Sequence, residues 1–132
     1  MDTHPHRELD RDQSLALLAG MHTGRVIYTA QALPAVLPVR FRVAPDGDLL
    51  LEGYAPASLL VAADGGLLAF ETGEIADLDG RGWSVTVLGR ASLSYDSRRP
   101  VPAEGGAGRV VIRLCPELVT GHRLGTPAVG PG

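Results

Sequence analysis

The sequence contains no lysine, and all 12 of its strongly basic side chains are arginines. Schiff-base enzymes, including those that use pyridoxal phosphate, form their imine on a lysine. A standard phosphate-binding loop also places a lysine against the phosphates of its nucleotide. The absence of lysine therefore excludes these classes of enzyme.

Cysteine is almost as scarce, since Cys115 is the only one. One cysteine cannot form an internal disulfide, and Cys115 ends an apolar run with no neighbouring base to activate its thiol. No apolar run approaches the roughly 18 residues that span a bilayer, and the polar N-terminus lacks the apolar core of a signal peptide. These absences predict a structural cysteine and a cytoplasmic protein that makes no contact with a membrane.

Basic patches and clustered metal ligands are also missing. The formal net charge is −3, whereas a nucleic-acid interface needs excess positive charge to neutralise phosphates. The histidines are scattered, without the helical spacing that binds zinc. Ser58 and Ser84 lack the Gly-x-Ser-x-Gly setting of a hydrolase nucleophile. We therefore predict neither nucleic-acid binding nor a metal site, and the sequence identifies no catalytic residue.

The residues that are present fit a single domain. The chain has 132 residues, of which 45% are apolar, and this suffices for a packed core. Residues 9–123 are predicted to form the domain, between disordered tails at 1–8 and 124–132. Asp10 and Gln13 have the spacing of a capping box, which begins a helix. A second, short helix is predicted over Pro56–Ala63, with the proline in its first turn.

Much of the remaining chain alternates between apolar and polar residues, which is the period of a half-buried strand. The run from Trp83 to Tyr95 is longer than an ordinary strand, and its small residues Gly89 and Ala91 could hold a bend. Six strands are predicted, at 26–30, 37–43, 49–51, 67–71, 83–95 and 110–114. Antiparallel strands of this kind indicate a barrel or a sandwich.

Seven segments of the chain, taken in order, resemble one protein family. They are Leu9-Asp10 with Leu17-Leu18, Gly24-Arg25-Val26, Leu37-Pro38-Val39, Asp46–Leu50, Leu68–Glu71, Gly82–Ala91 and Val119–Arg123. Over 9–123 the chain resembles the small pyridoxamine 5′-phosphate oxidase-like proteins that are common in actinobacteria. This resemblance implies a mainly β fold, a six-stranded antiparallel split β-barrel with short flanking helices.

The same resemblance implies a homodimer that holds FMN in grooves between its subunits and acts on a small organic molecule. The strand formed by Leu37, Pro38, Val39 and Arg40 would run along the flavin ring and its ribityl chain. The segment from Glu52 to Leu59 would cradle the phosphate near the start of the short helix. A related flavin or a deazaflavin would occupy the same groove.

Three positions of the phosphate segment depart from the family pattern. Relatives carry an arginine or tyrosine, then a threonine, then a lysine or arginine, where this chain has Glu52, Gly53 and Ser58. A phosphate carries nearly two negative charges at neutral pH, and a unit charge about 4 Å away is worth roughly 4 kcal/mol before screening. Glu52 is therefore expected to weaken FMN binding, and Arg40 or Arg42 could compensate in part.

Two interpretations of the function follow. The chain is either a flavin-dependent oxidoreductase or a cofactor-independent protein that binds or modifies a small ligand on the same barrel. Trp83 is a candidate for stacking on the ligand, with a core or interface role as the alternative. Tyr54 is a further candidate ligand contact. The Pro- and Gly-rich loop at 96–108 replaces a helical insert that relatives often have, so it predicts no substrate.

Overall fold

The computed structural model describes residues 6–76, 78, 80–94 and 108–125. These residues form eight strands and two short helices. In chain order the elements are β1 (His6–Leu9), α1 (Arg11–Ala19), β2 (Thr23–Ala30), β3 (Leu33–Val43), β4 (Leu49–Ala55), α2 (Ala57–Ala63), β5 (Leu67–Ile75), β6 (Gly82–Ser94), β7 (Gly108–Leu114) and β8 (Leu118–Leu124).

Six of the strands close into an antiparallel barrel. The strand ladders link β6, β5, β2, β3, β4 and β7 in that order, and β7 returns to β6. Alternate side chains of each strand point into the barrel, so each of the six contributes a buried apolar residue. Examples, one from each barrel strand, are Val26, Phe41, Leu51, Phe70, Val87 and Ile112. The predicted fold class, a six-stranded antiparallel barrel with short flanking helices, is confirmed.

The long strand β6 has two different neighbours along one of its edges. Its first half, Gly82–Leu88, pairs with β8, and Ala91–Ser94 pairs with β7. The chain passes from β7 to β8 directly over Gly89, where the amide of Cys115 donates to Arg90 at 3.0 Å and that of Glu117 donates to Leu88 at 3.1 Å. A Cβ on Gly89 would overlap the carbonyl oxygen of Cys115. Only glycine therefore fits at this crossing.

Two strands were not predicted from the sequence. Strand β8 pairs with β6, and β1 pairs with the outer edge of β8. Residues 6–8 and Leu124 consequently belong to the sheet, so the prediction that they lie in disordered tails is wrong. Residues 1–5, 95–107 and 126–132, which include most of the predicted loop 96–108 and of the C-terminal tail, lie outside the described residues.

Helix α1 begins as predicted. The side chain of Asp10 accepts a hydrogen bond from the Gln13 amide at 2.7 Å, and the Gln13 side chain accepts one from the Asp10 amide at 3.0 Å. This reciprocal capping box satisfies two amides that the first turn leaves unpaired. The helix packs on β8, with Leu18 buried in the core cluster. It therefore holds β8 against the barrel.

Ser14 on α1 is fully buried, and among the described residues its hydroxyl has no hydrogen-bond partner. A buried, unpaired hydroxyl destabilises a protein because it loses its hydrogen bonds to water. We expect Ser14→Ala to raise the free energy of unfolding by about 0.5–1 kcal/mol, measured by urea denaturation. Gln13→Ala, which breaks the capping box, should lower that free energy by a similar amount. A Ser14→Ala variant less stable than the parent would contradict this interpretation.

Candidate functional site

The wall of the barrel opens between β3 and β4. Their ladder contains only four residue pairs, from Arg40 with Glu52 to Val43 with Leu49. Before this ladder, 33–39 of β3 pairs only with β2, and after it, 53–55 of β4 pairs only with β7. We call the gap between these two segments the opening.

The phase of the hydrogen bonds shows which residues of β3 face the opening. The Phe41 amide donates to His22, next to β2, at 2.9 Å, whereas the Ala44 amide donates to Asp48, on the β4 side, at 2.8 Å. Residues of an antiparallel strand alternate in the side to which they direct their N–H and C=O groups. Odd-numbered residues of β3 therefore bond to β2, and even-numbered residues face β4 or the opening.

Proline explains why the ladder stops at Arg40. If the ladder continued in the same register, the next hydrogen-bonded pair would be Pro38 with Tyr54, but proline has no N–H to donate. The pair after that would join Val36 to Pro56, which again lacks a donor. Two successive pairs of the extended ladder would therefore be incomplete, so β4 follows β7 instead.

Gly53 lies where β4 leaves β3. Its φ is +153°, and a Cβ built on it would have no atom within 4 Å. The first value is one that residues with side chains rarely adopt, and the second shows open space beside the chain. The opening is therefore bordered by unfilled volume at Gly53, and this is where a ligand could approach the backbone.

The structure brings most of the predicted site residues to the borders of the opening. Leu37 and Val39 direct their side chains into the core, whereas Pro38 and Arg40 are exposed on the outer face. Across the opening lie Glu52, Gly53, Tyr54 and Ser58, of which Tyr54 is 62% exposed.

Trp83 is placed elsewhere. It lies near the start of β6, between Glu74 of β5 and Arg123 of β8, and packs against the core. Strands β5 and β2 separate it from β3 in the sheet. Trp83 therefore does not border the opening.

Two hydroxyl groups meet at the helical side of the opening. The Tyr28 hydroxyl lies 3.3 Å from that of Ser58 in the first turn of α2. Tyr28 is almost buried on β2, α2 packs against β2, and Leu59 of α2 is buried in the core cluster. The sequence does not predict this pair, because the packing of α2 onto β2 is not visible in any local pattern.

The charges at the opening are partly neutralised by one another. Arg42 donates from Nε to Glu52 Oε1 at 2.8 Å, and both side chains are partly exposed. Arg40 lies directly opposite Glu52 in the ladder, yet it forms no ion pair with any described residue. Arg40 is therefore the guanidinium at the opening that remains available to an anion.

The carboxylates of the β3–β4 turn have a structural role. Arg113 of β7 contacts both Asp46 and Asp48 at 2.9 Å. A hydrogen bond from the Asp48 amide, followed by the Arg113 charge, lowers the pKa of Asp46. The turn is thereby attached to β7, at the end of β4 opposite to the opening.

The described part of the chain contains no cluster of metal-ligating side chains. No group of three or more His, Cys, Asp or Glu side chains there could hold a metal ion. Neither described helix is long and apolar enough to cross a membrane.

The model of one protein family, described as pyridoxamine 5′-phosphate oxidase, matches residues 10–107. The chain belongs to this family. The uncharacterized protein Rv0080 of Mycobacterium tuberculosis is 36% identical over 129 residues, which is 89% of this chain and 84% of the relative.

Solved structures show the same fold. An FAD-binding protein from Mycobacterium smegmatis has a TM-score of 0.69 at 24% identity, over 90% of this chain and 98% of its own. An FAD-binding protein from Mesorhizobium loti has a TM-score of 0.68 at 18% identity, over 92% of this chain and 98% of its own. At these identities the similarity shows that this member of the pyridoxamine 5′-phosphate oxidase family has the same fold as the two proteins. It does not show which ligand this chain binds.

Proposed function

We propose that this protein binds a flavin in the opening between β3 and β4, as a homodimer, and reduces or oxidises a small organic molecule. The observation that carries the proposal is the opening itself, a break in the barrel wall bordered by free backbone and by unfilled volume at Gly53. The family supports a flavin, as do structural neighbours described as FAD-binding proteins.

A bound flavin would supply the hydride chemistry, and the chain would supply position and environment. The backbone of β3 offers hydrogen-bonding groups along the opening, and exposed Arg40 offers a positive charge. The pair of Tyr28 and Ser58 offers hydroxyl groups at the side of α2. No side chain has to act as an obligatory acid or base, which agrees with the absence of a catalytic constellation among the described residues.

Absorption spectroscopy tests this function directly. We expect the purified protein to absorb between about 350 and 500 nm, or to quench the fluorescence of added FAD, FMN or riboflavin with saturation. Lysozyme or another protein that binds no flavin serves as a control for inner-filter effects. A colourless protein that quenches none of the three flavins would remove the proposal.

A row of apolar side chains on the outside of the barrel supports the homodimer. Cross-strand pairs join its members directly, across five neighbouring strands. The row consists of Val36, Ile27, Ala69, Leu88 and Leu118. Val36, Leu88 and Leu118 are 57%, 38% and 55% exposed, which is unusual for neighbouring large apolar residues on one face.

The row begins at the opening, because Val36 belongs to the open part of β3. A second copy that covers the row would therefore also border the opening, as the family resemblance implies. Polar residues flank the row on one side, where Arg25 pairs with Glu71, and Arg90 lies on the other side next to exposed Leu67. An apolar centre with a polar rim is the usual composition of an interface between subunits.

A charged substitution in the row should separate the subunits. We expect Leu88→Glu to weaken dimerisation by about 100-fold or more, because an unpaired carboxylate would be buried in each half of the interface. Val61→Glu, an equally polar change at a 79% exposed residue of α2, is the matched control. Sedimentation should give twice the 13.8 kDa chain mass for the parent and the control, and the single chain mass for Leu88→Glu. A monomeric parent would contradict the proposed dimer.

The reversal of charge at Glu52 favours a second candidate function. On this alternative the barrel no longer holds a phosphate-bearing cofactor and binds or modifies a small apolar metabolite. The double variant Glu52→Arg with Ser58→Lys distinguishes the two cases. Restored FMN binding would show that only the charges had been lost, whereas no FMN binding in either protein would favour the cofactor-independent function.

A further inference from the structure

The open edge of β3 carries one backbone donor between two prolines. Even-numbered residues of β3 face away from β2, as the hydrogen bonds of the ladders show. The backbone polar groups that point into the opening are therefore those of Pro34, Val36 and Pro38. The two prolines contribute only carbonyl oxygens, because they have no N–H. Within the described stretch 33–39, Val36 is therefore the one residue that presents both an N–H and a C=O to the opening.

No described residue supplies a partner to these two groups of Val36. Val36 lies opposite Ile27 of β2 in a pair that is not hydrogen-bonded. It also has no partner on β4, because the β3–β4 ladder begins only at Arg40. Backbone polar groups of strands are nearly always paired with protein or with water. The Val36 groups are therefore available to a ligand at the border of the opening.

An adjacent donor and acceptor on one residue match a particular ligand chemistry. They complement a planar ring edge on which a carbonyl oxygen stands next to an N–H, as in a lactam or a cyclic imide. The pyrimidine part of the flavin ring has such an edge, since its N3–H lies between two carbonyl groups. Two parallel hydrogen bonds to one residue also fix the orientation of the ring in its plane.

We propose that the backbone N–H and C=O of Val36 form a pair of hydrogen bonds with the imide edge of the flavin ring. This inference rests on the proposed flavin-binding function and adds the group that recognises the ring. The prolines set the register, because a ring displaced by two residues along β3 would meet a carbonyl oxygen without a neighbouring donor. Val36 therefore determines the position of the ring along the strand.

The same prolines argue against a peptide strand as the occupant of this edge. An added strand would need a backbone donor from β3 at every second residue. Two of the three residues that face the opening cannot supply one, whereas a ring with one imide edge needs a single donor and a single acceptor. The arrangement consequently favours a small planar ligand.

Proline substitution at Val36 removes the donor, and we expect the variant to fold. Pro34 and Pro38 already occupy equivalent positions on the same edge, so a third proline there meets the same backbone requirements. Val36→Ala shortens the same side chain and retains the N–H, so the ratio of the affinities of the two variants isolates the donor. We expect riboflavin to bind about tenfold more weakly to Val36→Pro than to Val36→Ala, measured by fluorescence quenching.

The N3-methyl derivative of riboflavin tests the same contact from the ligand. It lacks the N3–H, so the parent protein should bind it at least about tenfold more weakly than riboflavin. Val36→Pro keeps the carbonyl oxygen that accepts from N3–H, so it should still prefer riboflavin to the N3-methyl derivative. Thermal unfolding and circular dichroism establish whether the variant is folded.

Each outcome decides the inference. Riboflavin that binds the folded Val36→Pro and Val36→Ala variants equally would overturn the role of Val36 and leave flavin binding intact. If Val36→Pro does not fold, equal affinity of the parent for riboflavin and its N3-methyl derivative overturns the inference. A parent protein that binds no flavin overturns the proposed function, and the role of Val36 with it.

Discussion

Replacing Gly89 by alanine should abolish most of the folded protein. The added Cβ would overlap the carbonyl oxygen of Cys115, in the segment that connects β7 to β8 across β6. Neither side can move easily, because Arg90 and Leu88 are hydrogen-bonded to this segment on both sides of Gly89. We expect a loss of about 4 kcal/mol or more, since overpacking against backbone that cannot move is one of the few mechanisms that produce losses of this size. That is comparable to the whole stability of a marginal domain, which is about 5 kcal/mol.

Soluble yield and the midpoint of thermal unfolding measure this effect. Ala91→Gly is the matched control, because Ala91 is a buried residue two positions further along the same strand. It loses one methyl group and gains backbone freedom, so its cost should be about 1–2 kcal/mol. A Gly89→Ala protein that unfolds within a few degrees of the parent would show that the segment at Cys115 can shift freely.

Replacing Glu52 by glutamine should increase the affinity for FMN by about 100-fold. In the proposed complex the flavin phosphate would lie beside this carboxylate, and removing the Glu52 charge also releases Arg42 from its 2.8 Å contact. The Coulomb energy of about 4 kcal/mol per charge must be reduced here, because Glu52 is 43% exposed and therefore screened by solvent. About 2.7 kcal/mol remains if two thirds of it survives, which corresponds to roughly 100-fold in affinity.

Riboflavin distinguishes this effect from a general change in the opening. It carries no phosphate, so Glu52→Gln should alter its affinity by less than about threefold. Glu74→Gln removes the same charge from an exposed position on β5 and should leave both affinities unchanged. If Glu52→Gln altered the affinities for FMN and riboflavin equally, the phosphate would not lie beside Glu52.

The barrel was predictable because most of its strands carry a regular alternation of apolar residues. β8 was missed because its inward side chains are only Val119 and Gly121, and glycine gives no apolar signal. Position 121 requires glycine because a Cβ there would collide with Ser14 of α1, which is distant in the sequence. Packing between distant segments therefore concealed the strand from a local pattern.

The candidate site was predicted in part. The sequence identified both borders of the opening, through Leu37–Arg40 and Glu52–Ser58, but only by family resemblance. The ion pair of Arg42 with Glu52 was within reach of the sequence, since a hairpin turn at 45–48 brings β3 and β4 side by side. The contact of Tyr28 with Ser58 depends on how α2 packs against β2, which no local pattern contains.

The prolines of β3 also bear on how the protein behaves at high concentration. A long exposed edge of a sheet can recruit the edges of other molecules and grow into aggregates. Pro34 and Pro38 remove two of the three donors that such growth would need along this edge. The barrel can therefore keep the opening between β3 and β4 without offering an edge on which fibrils could grow.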